Sequence, residues 1–208
     1  MIEITNILEV AKHLTGLKVV VFDLDDTLYS EKEYVRSGYK MIAKLFPDVS
    51  NAEKKMWDFF EGGQPAIDCF LQQEGCWTED NKKLCLEVYR NQQPDIHLYD
   101  GVAEMLQKLK ENYHLGLITD GRPEGQRAKI AALKLADLFE HIIVTDELGG
   151  IQYRKPNQAA FELMTQKMGV RCDEMCYIGD NIKKDFVAPE KLGMRCIWFK
   201  NASGLYNR

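Results

Sequence analysis

The sequence lacks any apolar run that approaches the ~20 residues a membrane-spanning helix needs. It also lacks a basic excess, because 27 Lys and Arg stand against 32 Asp and Glu and leave a net charge of −5. Proteins that bind nucleic acid through its phosphates usually present a net basic face. We therefore expect neither a membrane nor a nucleic-acid partner. Residues 1–14 lack the basic start and unbroken apolar stretch of a signal peptide, so a cytoplasmic location is expected.

Cysteine is sparse and is not arranged for metal binding or for a disulfide scaffold. The chain has 6 Cys and no CxxC pair. Cys172 and Cys176 are the nearest pair along the sequence, and no pair of histidines follows them at zinc-finger spacing. The pattern favours reduced thiols in a reducing compartment over a zinc site.

Short apolar segments alternate with helical patterns over most of the chain. Continuous apolar runs of this length are typical of strands that are covered on both faces. Between them, Val102, Met105, Leu106 and Leu109 repeat with a helical period, and Pro123 and Pro156 are each expected in the first turn of a helix. The class predicted is α/β, with a Rossmann-like, mostly parallel sheet. The expected strands lie at 18–26, 114–121, 141–147, 175–180 and 194–199.

The stretch 30–94 breaks this alternation. It contains helical patterns and no strand-like run, so we expect a helical domain inserted after the first strand. The core domain would then comprise 1–29 and 95–208. The N-terminal segment places Ile7, Leu8, Ala11 and Leu14 on one face of a helix, which we expect to pack on the core.

Several acidic residues follow directly after predicted strands. Asp23 and Asp25 end the first, and Asp180 ends the segment at 175–180, with Asp185 five residues later. The carboxyl ends of parallel strands meet at one edge of a sheet, where ligands bind. Two carboxylates ~4 Å apart repel by ~4 kcal/mol at an effective dielectric of 20, so the group needs compensation. Mg²⁺ with oxygen ligands supplies it, and Lys155 adds a further positive charge.

At this point the residues resemble a known family. The order VVVFDLDDTL, LITDG, RKP and YIGDNIKKD is similar to the motifs of the haloacid dehalogenase superfamily of phosphotransferases. These motifs extend from Val19 to Asp185, and the helical insert is similar to the family's type-1 cap. The resemblance does not reach the sequence of the cap itself.

The resemblance implies a role for each motif residue. Asp23 would attack phosphorus and form an aspartyl-phosphate, and Asp25 would protonate the leaving alkoxide and later deprotonate water. That role requires a protonated Asp25 when substrate binds. Lys155 would neutralise Asp23 and the phosphate. The phosphoryl oxygens would be bound by the Thr119 hydroxyl and by the backbone N–H groups of Asp120 and Gly121. Mg²⁺ would take the Asp23 carboxylate, the Asp25 carbonyl, Asp180 and Asp185, the last either directly or through a neighbouring group.

The acid at position 25 favours a phosphatase over a dehalogenase within that family, because halide leaves without a proton. We expect a Mg²⁺-dependent phosphatase acting on a small phosphorylated metabolite, either a nucleoside monophosphate or a sugar phosphate. A phosphomutase and a catalytically silent binding or regulatory module on the same fold are the alternatives. Whether the protein is a monomer or a homodimer is not readable from the sequence. Asp185 is also a candidate partner of Lys155. An acid at position 120 is unfavourable beside a phosphate unless its side chain turns away.

Overall fold

The computed structural model describes residues 1–205, which divide into two compact units. The first unit comprises Met1–Glu31 together with the chain from His97 onward, and the second comprises Lys32–Ile96.

The first unit is built on a six-stranded parallel sheet in the order β1-β6-β5-β2-β3-β4. The central strand β2 is buried along its whole length, as expected for a strand covered on both faces. The strand bounds are β1 Ile2–Ile4, β2 Val19–Phe22, β3 His114–Thr119, β4 His141–Val144, β5 Met175–Gly179 and β6 Arg195–Phe199. The predicted α/β class with a mostly parallel sheet is confirmed.

The second unit consists of four helices around its own apolar core. The helices are α1 Glu31–Ala43, which begins at the junction of the units, α2 Ala52–Glu61, α3 Ala66–Gln73 and α4 Glu79–Arg90. Their buried residues, among them Ile42, Met56, Phe70 and Cys85, pack together. The sequence predicted helices in this stretch because each of the four has a periodic apolar face.

Helices also connect and flank the strands of the first unit. They are α5 Val102–Lys110, α6 Pro123–Ala132, α7 Ala159–Met168 and α8 Val187–Leu192. Pro123 lies in the first turn of α6 as predicted, where its missing N–H has no partner to lose. The same prediction for Pro156 is wrong, because α7 begins at Ala159, three residues after Pro156. The Asn157 side chain accepts a hydrogen bond from the first backbone N–H of this helix, that of Ala159, at 2.8 Å.

The N-terminal segment differs from its prediction. Residues Ile7–His13 form a 3₁₀ helix, and the buried side chains are Ile7, Val10 and Leu14, whereas Leu8 and Ala11 are exposed. Burial at nearly every third position fits three residues per turn better than 3.6. Edge strand β1 precedes it and was not predicted, because three residues are too few to show a period.

The sheet order brings three strand ends together. β2 pairs with β3 on one side and with β5 on the other, so Phe22 aligns with both Leu117 and Ile178. The hydrogen bond from Asp23 N to the Ile178 carbonyl, at 2.8 Å, extends this register by one residue. From β2 the chain adds β3 and β4 on one side of the sheet and then β5 and β6 on the other. Open α/β sheets form their ligand-binding crevice at such a change of side.

Candidate active site

A buried lysine contacts three other side chains at this edge of the sheet. Lys155 Nζ lies 2.6 Å from Asp23 Oδ1 and 2.8 Å from Asp185 Oδ1, and it donates to Tyr177 Oη at 2.8 Å. Burial alone would lower the pKa of Lys155, but the carboxylates of Asp185 and Asp23 outweigh it and hold that pKa well above its usual value. Lys155 is therefore a fixed positive charge.

Three buried carboxylates surround this lysine. Asp23, Asp180 and Asp185 each offer an oxygen, and these atoms lie within 4.8 Å of one another. Burial raises the pKa of Asp23 to about 7 even though Lys155 opposes the shift. Burial, with repulsion from Asp23 and Asp185, raises the pKa of Asp180 to about 9. Both shifts show that Lys155 alone does not offset the burial and mutual repulsion of these carboxylates.

An orphaned oxygen in this cluster fits a cation. Asp180 Oδ2 is buried and has no hydrogen-bond partner among residues 1–205. A buried polar atom without a partner is costly, so such atoms usually mark a ligand or water position. Carboxylate oxygens are also the donors that Mg²⁺ prefers. The residues present at this edge thus fit a hard divalent cation.

Asp185 is held in place by its neighbours and shapes the end of β5. Its Oδ2 accepts a hydrogen bond from Asn181 N at 2.9 Å, and its Oδ1 forms an ion pair with Lys155 Nζ at 2.8 Å. A Cβ built on Gly179 would lie 2.5 Å from Asp185 Oδ2, closer than real contacts allow. Glycine at 179 is therefore required by the close approach of the Asp185 carboxylate.

We expect Gly179→Ala to lower the free energy of unfolding by about 1–3 kcal/mol and to reduce turnover, because the added methyl displaces Asp185 from Lys155. Chemical denaturation and a phosphate-release assay measure the two effects. Gly62→Ala is the matched control, since a Cβ there makes only ordinary contacts at 3.4 Å. Equal behaviour of the two variants would contradict this account of Gly179.

The Asp25 carboxylate has different hydrogen-bond partners from the Asp23 carboxylate. Its carboxylate accepts from Lys129 Nζ at 2.7 Å, from Gln126 Nε2 at 2.8 Å and from the Tyr29 hydroxyl. Burial raises the pKa of Asp25, but Lys129 and these hydrogen bonds prevail and hold it below its usual value. In this structure Asp25 is set up as a carboxylate, whereas the role implied by the resemblance requires a proton on it when substrate binds.

Strand β3 ends in a buried hydroxyl, that of Thr119, and a loop with Asp120 follows it. Thr119 Oγ1 is buried without a hydrogen-bond partner among the described residues. The Asp120 carboxylate turns to its neighbours and accepts from Thr145 Oγ1 at 2.9 Å, from Lys155 N at 3.1 Å and from Lys184 Nζ at 3.1 Å. Burial raises the pKa of Asp120, but Lys155 and Lys184 outweigh it and keep that pKa low.

Gly121 completes this loop with a positive φ of 140°, which side chains rarely adopt. A Cβ there would also lie 2.9 Å from Gln126 Nε2. The loop therefore keeps glycine where Gln126 approaches the backbone.

The sequence did not single out every residue in these contacts. The side chains that hydrogen-bond to predicted site residues and were missed include Tyr29, Gln126, Lys129, Thr145, Tyr177 and Lys184. Gln126 and Lys129 lie three apart on α6, so they share a face. That spacing was visible in the sequence, but only the fold shows that the face meets Asp25.

The structure thus places a group of carboxylates and a buried lysine together at the end of the central strand of a parallel sheet. The family profile described as haloacid dehalogenase-like hydrolase matches residues 20–199. The chain therefore belongs to the haloacid dehalogenase-like hydrolase family, as the motifs predicted.

Curated relatives agree with this assignment. The chain is 36% identical to glyceraldehyde 3-phosphate phosphatase of Pyrococcus abyssi, over 88% of this chain and 82% of the relative. It is 26% identical to N-acylneuraminate-9-phosphatase of Mus musculus, over 92% and 85%. These findings confirm the prediction of an enzyme of the phosphoric monoester hydrolase class.

A solved structure shares the fold. A haloacid dehalogenase-superfamily hydrolase of Geobacter sulfurreducens superposes with a TM-score of 0.68 at 17% identity, covering 90% of this chain and 89% of its own. Within residues 1–205, no helix is both long and apolar enough to cross a membrane.

Proposed function

We propose that the protein is a Mg²⁺-dependent phosphatase that hydrolyses a small sugar phosphate through an aspartyl-phosphate on Asp23. The observation that carries the proposal is the buried cluster of Asp23, Asp180 and Asp185 around Lys155. Phosphoryl transfer depends mainly on positioning and on stabilising charge, and this cluster provides both.

Asp23 forms the new bond to phosphorus. One of its oxygens already contacts Lys155, which keeps the carboxylate oriented and offsets the charge of an incoming phosphate. The Thr119 hydroxyl, which is buried and has no hydrogen-bond partner among residues 1–205, donates to a phosphoryl oxygen, and the backbone N–H groups of Asp120 and Gly121 supply further donors. The Asp120 side chain stays turned toward Lys184 and Thr145, away from the anion.

Asp25 carries the proton. A phosphate dianion brought next to its carboxylate favours proton uptake, because like charges repel. The proton then passes to the leaving alkoxide, and the carboxylate that remains accepts one from the water that attacks the aspartyl-phosphate. Proton uptake on substrate binding thus makes the lowered pKa of Asp25 compatible with its proposed role as the general acid.

The Asp23 and Asp180 carboxylates and the Asp25 carbonyl would hold the cation, with Asp185 beside them. When bound, Mg²⁺ neutralises charge on the phosphoryl group during transfer. Each of the three carboxylates is fixed before substrate arrives, because all are buried and two contact Lys155.

A sugar phosphate is the substrate class we favour over a nucleoside monophosphate. The support is that the relatives named above act on glyceraldehyde 3-phosphate and on an N-acylneuraminate 9-phosphate, and that the first is also the more similar. The proposed role of residues 30–94 is that of a type-1 cap that selects among such substrates.

A panel of phosphorylated metabolites, assayed for released phosphate, tests this function. We expect the protein to hydrolyse small sugar phosphates in the presence of Mg²⁺ and without any bisphosphate activator. Glyceraldehyde 3-phosphate is the first substrate to test. A preference for nucleoside monophosphates would overturn the substrate class. Isomerised phosphate ester without free phosphate would identify a phosphomutase, and binding without turnover would identify a silent module.

Metal removal is expected to abolish activity reversibly. EDTA stops phosphate release and added Mg²⁺ restores it, because the buried acidic cluster repels the substrate phosphate when no cation is bound. Asp180→Asn raises the Mg²⁺ concentration needed for half-maximal activity by at least about 10-fold. Asp173→Asn, in an exposed pair with Arg171, is the control and keeps the wild-type Mg²⁺ dependence. Full activity in EDTA would refute the metal requirement.

Asp25→Asn is expected to separate substrates by leaving group. Turnover of an alkyl phosphate falls by about 10²–10⁴-fold, the usual contribution of a positioned acid. Turnover of p-nitrophenyl phosphate falls much less, because its phenolate leaves without a proton. Steady-state rates on both substrates measure the difference, and equal losses would count against Asp25 as the proton donor.

A further inference from the structure

Three donors from two parts of the chain converge on Asp25. The Lys129 ammonium and the Tyr29 hydroxyl both donate to Oδ1, and Gln126 Nε2 donates to Oδ2 at 2.8 Å. Lys129 is itself only 6% exposed. A buried ammonium is unfavourable without a carboxylate partner, so this pairing is a specific feature of the fold.

The contacts distinguish the two oxygens of Asp25. Within the described part of the chain, Oδ1 receives two donors, one of them charged, whereas Oδ2 receives the neutral amide of Gln126. A carboxylate oxygen accepts about two hydrogen bonds, so Oδ2 retains a lone pair among these contacts. Among the contacts of residues 1–205, Oδ2 is therefore the oxygen with room for a further partner such as a leaving-group oxygen.

Gln126 also ties Asp25 to the loop after β3. The same Nε2 that donates to Asp25 donates to the carbonyl of Asp120. This one amide fixes the distance between the acid and the loop that we propose to bind the phosphoryl group. Gln126 lies one turn before Lys129 on α6, so a single helix face carries both contacts.

We propose that Lys129 and Gln126 are positioning residues for Asp25, holding Oδ1 away from the substrate and presenting Oδ2 to the leaving-group oxygen. This inference rests on the proposed function, in which Asp25 is the proton donor. As the bond from Asp23 to phosphorus forms, the bond from phosphorus to the leaving oxygen breaks. The leaving oxygen keeps that electron pair and takes the proton from Oδ2. The carboxylate so formed is the state that Lys129, Gln126 and Tyr29 stabilise.

Lys129→Met tests the proposal, because Met keeps the length of the side chain and removes the charge. We expect turnover of an alkyl phosphate to fall by about 100-fold, while p-nitrophenyl phosphate turnover falls only a few-fold. A loss of purely structural origin would reduce both rates alike. Arg127→Met is the matched control on the same helix: its exposed pair with Glu147 faces elsewhere, and both rates stay unchanged.

Asp25→Asn, measured in parallel, separates this inference from the function on which it rests. If Asp25→Asn shows no leaving-group selectivity, the acid role of Asp25 fails. If Asp25→Asn is selective but Lys129→Met is not, the acid role stands and the positioning role of Lys129 is overturned.

The double variant Asp25→Asn, Lys129→Met covers the case in which Lys129→Met fails to fold. It leaves no unpaired carboxylate at position 25. We expect it to show the same ratio of alkyl to aryl rates as Asp25→Asn alone, since Lys129 acts through Asp25. A clearly lower ratio in the double variant would show that Lys129 acts elsewhere and would overturn the proposal.

Discussion

Asp23→Asn is expected to lower turnover by about 10⁴-fold or more on every substrate, because a neutral amide does not attack phosphorus. The fold should survive the change. The Asn oxygen still accepts from Lys155, and a pKa of about 7 for Asp23 shows that burial already disfavours its charge.

Phosphate release and thermal unfolding measure the two halves of this prediction. Asp173→Asn is again the control, since it removes a carboxylate from the surface. Substantial activity in a folded Asp23→Asn protein would show that another group attacks phosphorus.

Lys155→Met is expected to have the largest effect on stability. It removes the cation from between Asp23 and Asp185, both of which are buried. Leaving buried carboxylates without their partner costs about 3–5 kcal/mol of unfolding free energy. Activity is lost as well, because no ammonium then orients Asp23 or offsets the phosphate charge.

A control variant and a double variant test whether unpaired buried charge causes the loss of stability. Lys18→Met breaks an exposed pair with Glu174 at 2.7 Å and should cost no more than about 1 kcal/mol. Adding Asp185→Asn to Lys155→Met removes one of the unpaired charges and should recover part of the stability without recovering activity. If the double variant were less stable than Lys155→Met alone, the repulsion account would be wrong.

The local hydrophobic pattern of the sequence predicted most of the strands and helices. The apolar runs of β2, β3 and β5 and the periodic faces of α1 to α5 are strong signals, because burial on both sides or on one stripe leaves a visible period. The three-residue strand β1 and the 3₁₀ helix at Ile7–His13 were missed or misread, since a short element shows too few repeats to define its period.

The sequence indicated the site in part. Asp23, Asp180 and Asp185 were expected together because strand ends meet at one edge, and Lys155 was expected to add a positive charge there. The structure places an oxygen of each acid within 4.8 Å of the others, and Lys155 contacts Asp23 and Asp185. Their roles remain proposals. The partners of Asp25 could not be predicted, because Lys129 lies 104 residues away along the chain and only the packing of α6 brings it close.

The lowered pKa of Asp25 could not be predicted either, since it depends on burial and on three donors that act together. The sequence shows neither effect. The protonation of Asp25 that the resemblance requires when substrate binds therefore depends on contacts that the sequence does not show.

The central claim is that Asp23 becomes covalently phosphorylated during turnover. Acid quenching of the enzyme with a sugar phosphate and Mg²⁺, followed by borohydride reduction, converts an aspartyl-phosphate to homoserine, which peptide mass spectrometry locates. We expect substrate-dependent homoserine at position 23 and none in Asp23→Asn. Homoserine at another position would contradict the account, and so would an unmodified Asp23 when samples are quenched throughout the first turnover of an active enzyme.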